Sequence, residues 1–371
     1  MDSILVTWPM RILHCIPSML GGGAERQLAY LAVEQSKRGC EVEVALLYDG
    51  PNGDRLRRSG VTIHSLSHRS THDPYLLIQL IRLIRSTKPD IVQTWLRQMD
   101  ILGGMVAQWT RVPWILSERS SALGYPPSLK NRLRVRLGVR ARAIVSNSTG
   151  GDAYWESCGY ARARRYVIHN GLPWDEIDRM PSYRPDSGSM AEGQRIVLYA
   201  GRMSSEKNVN NMISGIRGAA AQVPLSAYMC GEGVLHPEVK DLIHDKRLSG
   251  MISLQGYVTD VWSWMKGADV FISLSLIEGQ PNAVLEAIAC GCPVVLSDIP
   301  AHREIVNAEM ALFVNPHSPA EISEALIATL KGPGEARRRA ELAKGNILHY
   351  TIPKMADAYV AVYRDAVEIQ E

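Results

Sequence analysis

The chain has 371 residues, 46% of them hydrophobic and 21% charged, which is enough apolar material for two buried cores. Net charge is only +3, yet 23 basic and 13 acidic residues lie before Gly171, against 18 and 25 from there on. That division points to two domains facing different things, and no run of 18 apolar residues is present to span a membrane.

The first ten residues carry Asp2 and no basic n-region, which argues against a signal peptide. Residues 1–9 read as a dispensable lead-in, with Met10 an alternative start. Six cysteines are scattered without a C-x-x-C, which argues against a zinc site or disulfide framework and fits a reduced, cytoplasmic setting.

From there, β-rich runs alternate with helix-length amphipathic runs. Strand 11–16 leads to helix 24–38, which Gly39 closes, and then to strand 42–47. Asp73 and Pro74 open helix 75–85. Strand 91–94, helix 100–110, strand 114–117, helix 129–139 and strands 143–147 and 167–169 follow. The rhythm restarts with strand 195–200 and helix 208–221. It continues through strand 226–230, helix 238–246, strand 252–255, helix 261–266, strand 269–274, helix 281–289 and strands 293–296 and 312–314. From His317 the chain reads as helical. Continuous apolar strands alternating with helices predict an α/β protein of two doubly wound parallel sheets. The domains are expected at residues 10–170 and 171–352, with residues 181–193 the most linker-like stretch.

Three places carry candidate chemistry. Gly21-Gly22-Gly23-Ala24-Glu25 follows the first strand and opens the first helix, where backbone N–H groups and the helix dipole suit an anion. The pattern is not G-x-G-x-x-G, and a plain tight turn explains it equally well. Arg202 and Lys207 follow the first strand of the second domain, where doubly wound sheets bind ligands. A planar fork and a point charge suit a diphosphate, although two solvated surface charges would look the same. The third place is Glu278-Gly279-Gln280-Pro281-Asn282-Ala283-Val284-Leu285-Glu286. There the N–H groups of Asn282, Ala283 and Val284 would open a helix, between two carboxylates able to accept from sugar hydroxyls. Glu286 could be an ordinary surface residue, but its neighbours Val284, Leu285, Ala287 and Ile288 are all apolar.

These segments, with His169-Asn170-Gly171, Tyr199-Ala200, Gly231-Glu232-Gly233 and Gly256-Tyr257 with Asp260, resemble the family 4 (group 1) retaining, nucleotide-sugar-dependent glycosyltransferases. The resemblance runs from about Arg11 to the C-terminus. It implies the GT-B fold: two Rossmann-like domains facing a cleft, acceptor on the first, donor on the second, and a last helix (353–371) packed back on the first. Carried over, it implies that Arg202 and Lys207 clamp the donor diphosphate, Glu286 holds the ribose and Glu278 faces the sugar. It also implies that Asn282, Ala283 and Val284 support sugar or phosphate through their N–H groups, that Tyr257 and Val258 line the base pocket, and that Gly22 and Gly23 close over the phosphates. Front-face substitution with retention follows, with Glu278, Arg202 and Lys207 as the catalytic set and no cofactor or metal. UDP is the first expectation for the base and GDP the next.

One departure stands out. Many relatives place a His after the strand at 114–117, where this chain reads Ser117-Glu118-Arg119-Ser120. Glu118 or Arg119 would take its place on the acceptor side, together with Trp95; Arg97 and Asp100 are left without a role. Lys130, Arg132, Arg134, Arg136, Arg140 and Arg142 give six basic residues in thirteen, interleaved with Leu129, Leu133 and Leu137. The simplest expectation is a core-facing leucine stripe with a solvated basic face. The sharper one is peripheral contact with an anionic membrane, delivering the protein to a lipid-linked or other glycan acceptor in cell-surface polysaccharide synthesis. The rival readings are a UDP-sugar epimerase, a non-catalytic nucleotide-sugar-binding protein and a nucleic-acid binder. The last is disfavoured, since no helix-turn-helix, zinc-finger or RNP pattern is present.

Overall fold

A computed structural model describes residues 10–70, 73–185, 193–245 and 248–368. The proposed lead-in and most of the linker-like stretch, residues 186–192, lie outside the described residues. The chain divides into two compact units, one running to Gly171 and taking up the chain again from Tyr350, the other Leu172–His349.

The first unit contains β1 (Arg11–Cys15), α1 (Gly23–Lys37), β2 (Glu41–Leu46), α2 (Pro51–Arg58), β3 (Thr62–Ser65), α3 (Tyr75–Thr87) and β4 (Ile91–Trp95). It continues with α4 (Leu96–Thr110), β5 (Trp114–Glu118), α5 (Leu129–Gly138), β6 (Ala143–Ser146), α6 (Thr149–Ser157) and β7 (Arg165–Val167). Its seven strands among the described residues are all parallel, in the order β3-β2-β1-β4-β5-β6-β7. Parallel strands covered on both faces read as largely apolar runs, and β4, β5 and β6 are buried at every position, polar Gln93, Thr94, Ser117, Glu118 and Ser146 included.

The second unit opens with α7 (Trp174–Arg179), β8 (Arg195–Ala200), α8 (Val209–Ala220), β9 (Leu225–Cys230), α9 (His236–Asp245), β10 (Ile252–Gly256) and α10 (Val261–Gly267). It closes with β11 (Val270–Ser273), α11 (Asn282–Ala289), β12 (Val294–Ser297), α12 (Pro300–Arg303), β13 (Leu312–Val314), α13 (Pro319–Lys331) and α14 (Pro333–Ile347). Its parallel sheet runs β10-β9-β8-β11-β12-β13. Strand order therefore reverses between β8 and β11, as it does between β1 and β4 in the first unit. Loops leaving the carboxyl ends of such a pair diverge and leave a ligand-sized crevice.

The last helix, α15 (Ile352–Glu368), belongs to the first unit. It lays Met355, Ala356, Tyr359, Val362 and Tyr363 against the core residues Ile12, Leu28, Trp95 and Ile115. Burying Met355 and Val362 alone stabilises that attachment by roughly 3–6 kcal/mol.

Helix α5 departs from its expected orientation. Its inward residues are Asn131, Arg134, Leu137 and Gly138, whereas Leu133 is 40% and Leu129 81% exposed. Arg134, at 1%, is the buried member of the basic cluster. Its Nε donates to Asp100 at 2.7 Å and its Nη2 ion-pairs with Glu118 at 2.9 Å. Two carboxylates with no exposure need a cation, and that requirement outweighs the leucine periodicity.

Candidate active site

In the second unit the candidate residues gather at the carboxyl ends of the strands. Beyond β8, Gly201 and Arg202 lead through buried Met203 and Ser204 into a short 3-10 turn, Ser205–Lys207. Asn208, in the left-handed region at φ 55°, then redirects the chain into α8, and its Nδ2 donates to the Pro316 carbonyl at 2.6 Å. Two glycines support this loop from beneath. A Cβ on Gly231 would lie 2.0 Å from the Gly201 oxygen, and one on Gly233 would lie 2.4 Å from the Met203 oxygen. Only glycine permits that approach, which is sealed by Gly201 N–H donating to Cys230 and Met203 N–H donating to Glu232.

Across the switch point, the loop after β11 brings Glu278 to Lys207. Their ion pair joins β8 to β11, and Ser275 Oγ donates to the same Glu278 oxygen at 2.7 Å. Arg202 is exposed and forms no ion pair among the described residues. Glu286 is 2% exposed on α11 and accepts from the Trp262 indole N–H at 3.2 Å. Tyr257 and Val258 follow β10 at the sheet edge, with Tyr257 exposed.

Helix α11 begins at Asn282, with Pro281 as its cap. The Val284 N–H already donates to the Pro281 carbonyl at 3.1 Å, so it is not one of the outward-facing groups expected there. Asn282 and Ala283 hold the first two positions of the helix.

His302 has no counterpart in the sequence analysis. It is fully buried behind the Glu278–Lys207 pair, and both charges influence it. Its Nδ1–H donates to the Ser297 carbonyl at 2.8 Å, which leaves Nε2 as an acceptor with no bond among the described residues. Burial pushes its pKa below the usual histidine value. A lone His after a proline carries no signal of this; only the fold brings it there.

The glycine loop of the first unit holds a carboxylate of its own. Gly21 and Gly22 N–H groups both donate to Glu25, whose other oxygen accepts from Ser18 Oγ. Gly22 is the N-cap of α1 and Glu25 its third residue, so the Gly21 and Gly22 N–H groups are engaged by the chain's own carboxylate.

Glu118, at the end of β5, is equally committed. It accepts from Arg119 and Ser120 N–H, the Tyr125 hydroxyl and the Trp155 indole, besides pairing with Arg134. Arg119 turns to the opposite face of the sheet. Its guanidinium lies 5.2 Å from the Trp95 ring centroid and donates to Asn170 Oδ1. Trp95 is buried, with its indole N–H on Nδ1 of His14. Among the described residues no three His, Cys, Asp or Glu side chains gather as metal ligands would.

Two family models match this chain. Residues 21–175 fit Glycosyltransferase Family 4 and residues 184–345 fit Glycosyl transferases group 1, so that together they cover most of its length. The chain belongs to the family 4, group 1 glycosyltransferases. The transferase is 24% identical over its full length to an uncharacterized glycosyltransferase of Methanocaldococcus jannaschii, with 99% of that protein covered. Over 46% of each chain it is 31% identical to the N-acetylgalactosamine-N,N'-diacetylbacillosaminyl-diphospho-undecaprenol 4-alpha-N-acetylgalactosaminyltransferase of Campylobacter jejuni. Its fold matches that of Anabaena HepE, solved in complex with UDP-glucose, with a TM-score of 0.85 at 18% identity over 96% of this chain and 99% of the other. The expected GT-B architecture, two parallel-sheet α/β domains, is thus the observed one.

Proposed function

We propose that this glycosyltransferase moves a sugar, with retention, from a nucleoside-diphosphate sugar to the hydroxyl of a lipid-linked or polysaccharide-precursor acceptor in cell-surface glycan synthesis. The observation that carries the donor half is the Arg202, Lys207 and Glu278 constellation at the β8/β11 switch point. Arg202 forms no ion pair among the described residues, although Glu206 acts on it electrostatically, and Lys207 can exchange Glu278 for a diphosphate oxygen as the donor enters. Two cations and the start of α11 would balance the leaving diphosphate without a divalent ion. UDP is the base first in line, in keeping with the UDP-glucose complex of the Anabaena structure.

The acceptor half rests on the first unit. The diphospho-undecaprenol substrate named for the Campylobacter relative supports a lipid-linked acceptor. Peripheral membrane contact through the exposed leucines and basic residues around α5 is part of this reading, and no described helix is long and apolar enough to cross a membrane.

Thermal shift with UDP-, GDP- and ADP-sugars selects the donor. Arg202→Ala and Lys207→Ala should each weaken binding of the selected nucleotide more than tenfold by calorimetry. Unchanged affinity in both variants refutes the donor site. Activity should survive EDTA, and NMR of the product should show the donor's anomeric configuration; dependence on a divalent ion or inversion refutes the corresponding half of the mechanism.

A further inference from the structure

The arginines of the first unit that lie deepest are neutralised by carboxylates. Arg134 has Asp100 and Glu118, and Arg165 has Asp152 and Glu156. Arg119 differs. The groups in contact with its guanidinium are the Trp95 ring face and Asn170 Oδ1, both uncharged; the Glu118 carboxylate acts on it electrostatically but forms no ion pair with it among the described residues. Its Nε is shielded from solvent and has no hydrogen-bond acceptor among the described residues. The adjacent carboxylate, Glu118, has both oxygens committed on the other face of the sheet. A guanidinium partly withdrawn from water and without an ion pair among the described residues is costly, and an entering anion lowers that cost.

A second arginine follows the neighbouring strand. In the β4–β5 ladder Trp95 pairs with Ser117, so Arg97 and Arg119 each lie two positions beyond a paired residue, Arg97 two past the end of β4 and Arg119 one past the end of β5. Arg97 is exposed, donates to Asn131 Oδ1 at 3.2 Å and forms no ion pair among the described residues. Both strand ends lie on the β4 side of the first unit's switch point, where a ligand is expected. The glycine loop on the β1 side already holds Glu25, so the uncommitted positive charge lies with the arginines.

We propose that Arg119, with Arg97 at the neighbouring strand end, is an anion receptor that takes a phosphate or diphosphate group carried by the acceptor. This rests on the glycosyltransferase reading and deepens it: the acceptor is a phosphorylated molecule, and Arg119 registers it on the first unit. A guanidinium fork offers parallel N–H donors to phosphate oxygens, which a lysine cannot reproduce. Asn170 and Trp95 are then positioning residues, holding the fork without discharging it.

The test is calorimetric titration of the full chain with inorganic pyrophosphate. Wild type should show two independent sites, one abolished by Lys207→Ala and the other by Arg119→Gln. Arg119→Lys should bind at the second site at least tenfold more weakly than wild type. Arg97→Gln, an exposed change that leaves the core untouched, should weaken the same site and keeps the test open if Arg119→Gln fails to fold. Farnesyl diphosphate should displace pyrophosphate from the arginine site if the acceptor is lipid-linked; failure to displace it assigns the site to a phosphorylated acceptor without a lipid. Two sites retained in both arginine variants, or a single wild-type site that Lys207→Ala abolishes, would overturn the proposal. Failure of the donor reading would appear separately, as insensitivity of both sites to Lys207→Ala.

Discussion

Trp95 donates its indole N–H to Nδ1 of His14 across 3.2 Å, inside the first unit. The imidazole is therefore neutral, with its proton on Nε2, from which it donates to Gln35 Oε1 at 2.9 Å. Gln35 passes the sequence on to the Tyr363 hydroxyl at 3.0 Å, Tyr363 to Gln93, and Gln93 to Ser117 Oγ at 2.5 Å. Each donor has its acceptor, and the series ties α1 and α15 to the sheet beneath Trp95. Protonating His14 would set two donors against each other.

Acid sensitivity follows. Burial holds the His14 pKa down at about 4, against an ordinary value of 6.5. Above pH 6.5 the imidazole is neutral in folded and unfolded chains alike. Below it the unfolded chain takes up a proton that the folded chain refuses until about pH 4, so stability falls across that window by roughly 3 kcal/mol from this group. Buried His302 acts in the same direction. Glutamine at position 14 can accept from Trp95 and donate to Gln35 without titrating. Urea denaturation of His14→Gln should show a flatter acid limb than wild type, and equal slopes between pH 6.5 and 4.5 would contradict this.

Arg134 should be among the most sensitive positions. Arg134→Met leaves Asp100 and Glu118 buried without a cation, at a cost of about 3–5 kcal/mol at pH 7. Burial already raises the Asp100 pKa to about 6, and Arg134 works against that rise. The penalty should shrink toward pH 5 as Asp100 takes up its proton, and Asp100→Asn should recover part of it. A loss below 1 kcal/mol at pH 7 would mean that the pair is hydrated.

Much of the fold was legible in the sequence, because fully buried parallel strands announce themselves. The expected strand at 91–94 is β4, ending one residue later at Trp95, and the expected helix at 129–139 is α5, ending one residue earlier at Gly138. The edge strand β3 was missed, since Thr62–Ser65 has no fully buried position and so no apolar run. Helix α2 was missed for a related reason: Pro51–Arg58 buries only Gly53 and Leu56. At the candidate site, the resemblance gave Lys207 to the donor diphosphate and Glu278 to the donor sugar, and the structure pairs the two with each other; nothing local announced that pair or His302. The orientation of α5 was hidden because it depends on Asp100 and Glu118, each remote in sequence. Glu25 did carry a usable sign: a Glu three positions after the cap is a capping-box pattern, as compatible with a self-capped turn as with a phosphate loop.

Gly231 tests the donor loop from below. At φ 129° and with the Gly201 oxygen 2.0 Å from its would-be Cβ, Gly231→Ala must displace the segment that carries Arg202. Nucleotide-sugar affinity should fall at least tenfold. Gly250→Ala, where nothing lies within 4 Å of the new Cβ, should leave affinity unchanged. Equal affinity in the two variants would mean that the loop accommodates the methyl group without moving Arg202.

The surface around α5 combines two kinds of exposed side chain. Leu123 is 72% exposed and Leu129 more so, with Leu133 and Val139 also open to solvent, while Lys130, Arg132, Arg136 and Arg140 stand among them. Burying Arg134 thus takes one charge from the cluster and leaves the outer leucines free to enter a bilayer interface. Each basic residue near an anionic surface contributes about 1 kcal/mol, screened over ~8 Å at physiological salt, whereas leucine insertion resists salt. The two contributions should therefore separate. Changing Arg132, Arg136 and Arg140 to Ser should abolish sedimentation with phosphatidylglycerol vesicles at low salt. Leu123→Ser with Leu129→Ser should spare low-salt binding and remove what persists at 0.5 M salt. Both variants should keep full nucleotide affinity, because the donor residues lie in the other unit. Sedimentation equal to wild type in both would refute membrane contact at this surface.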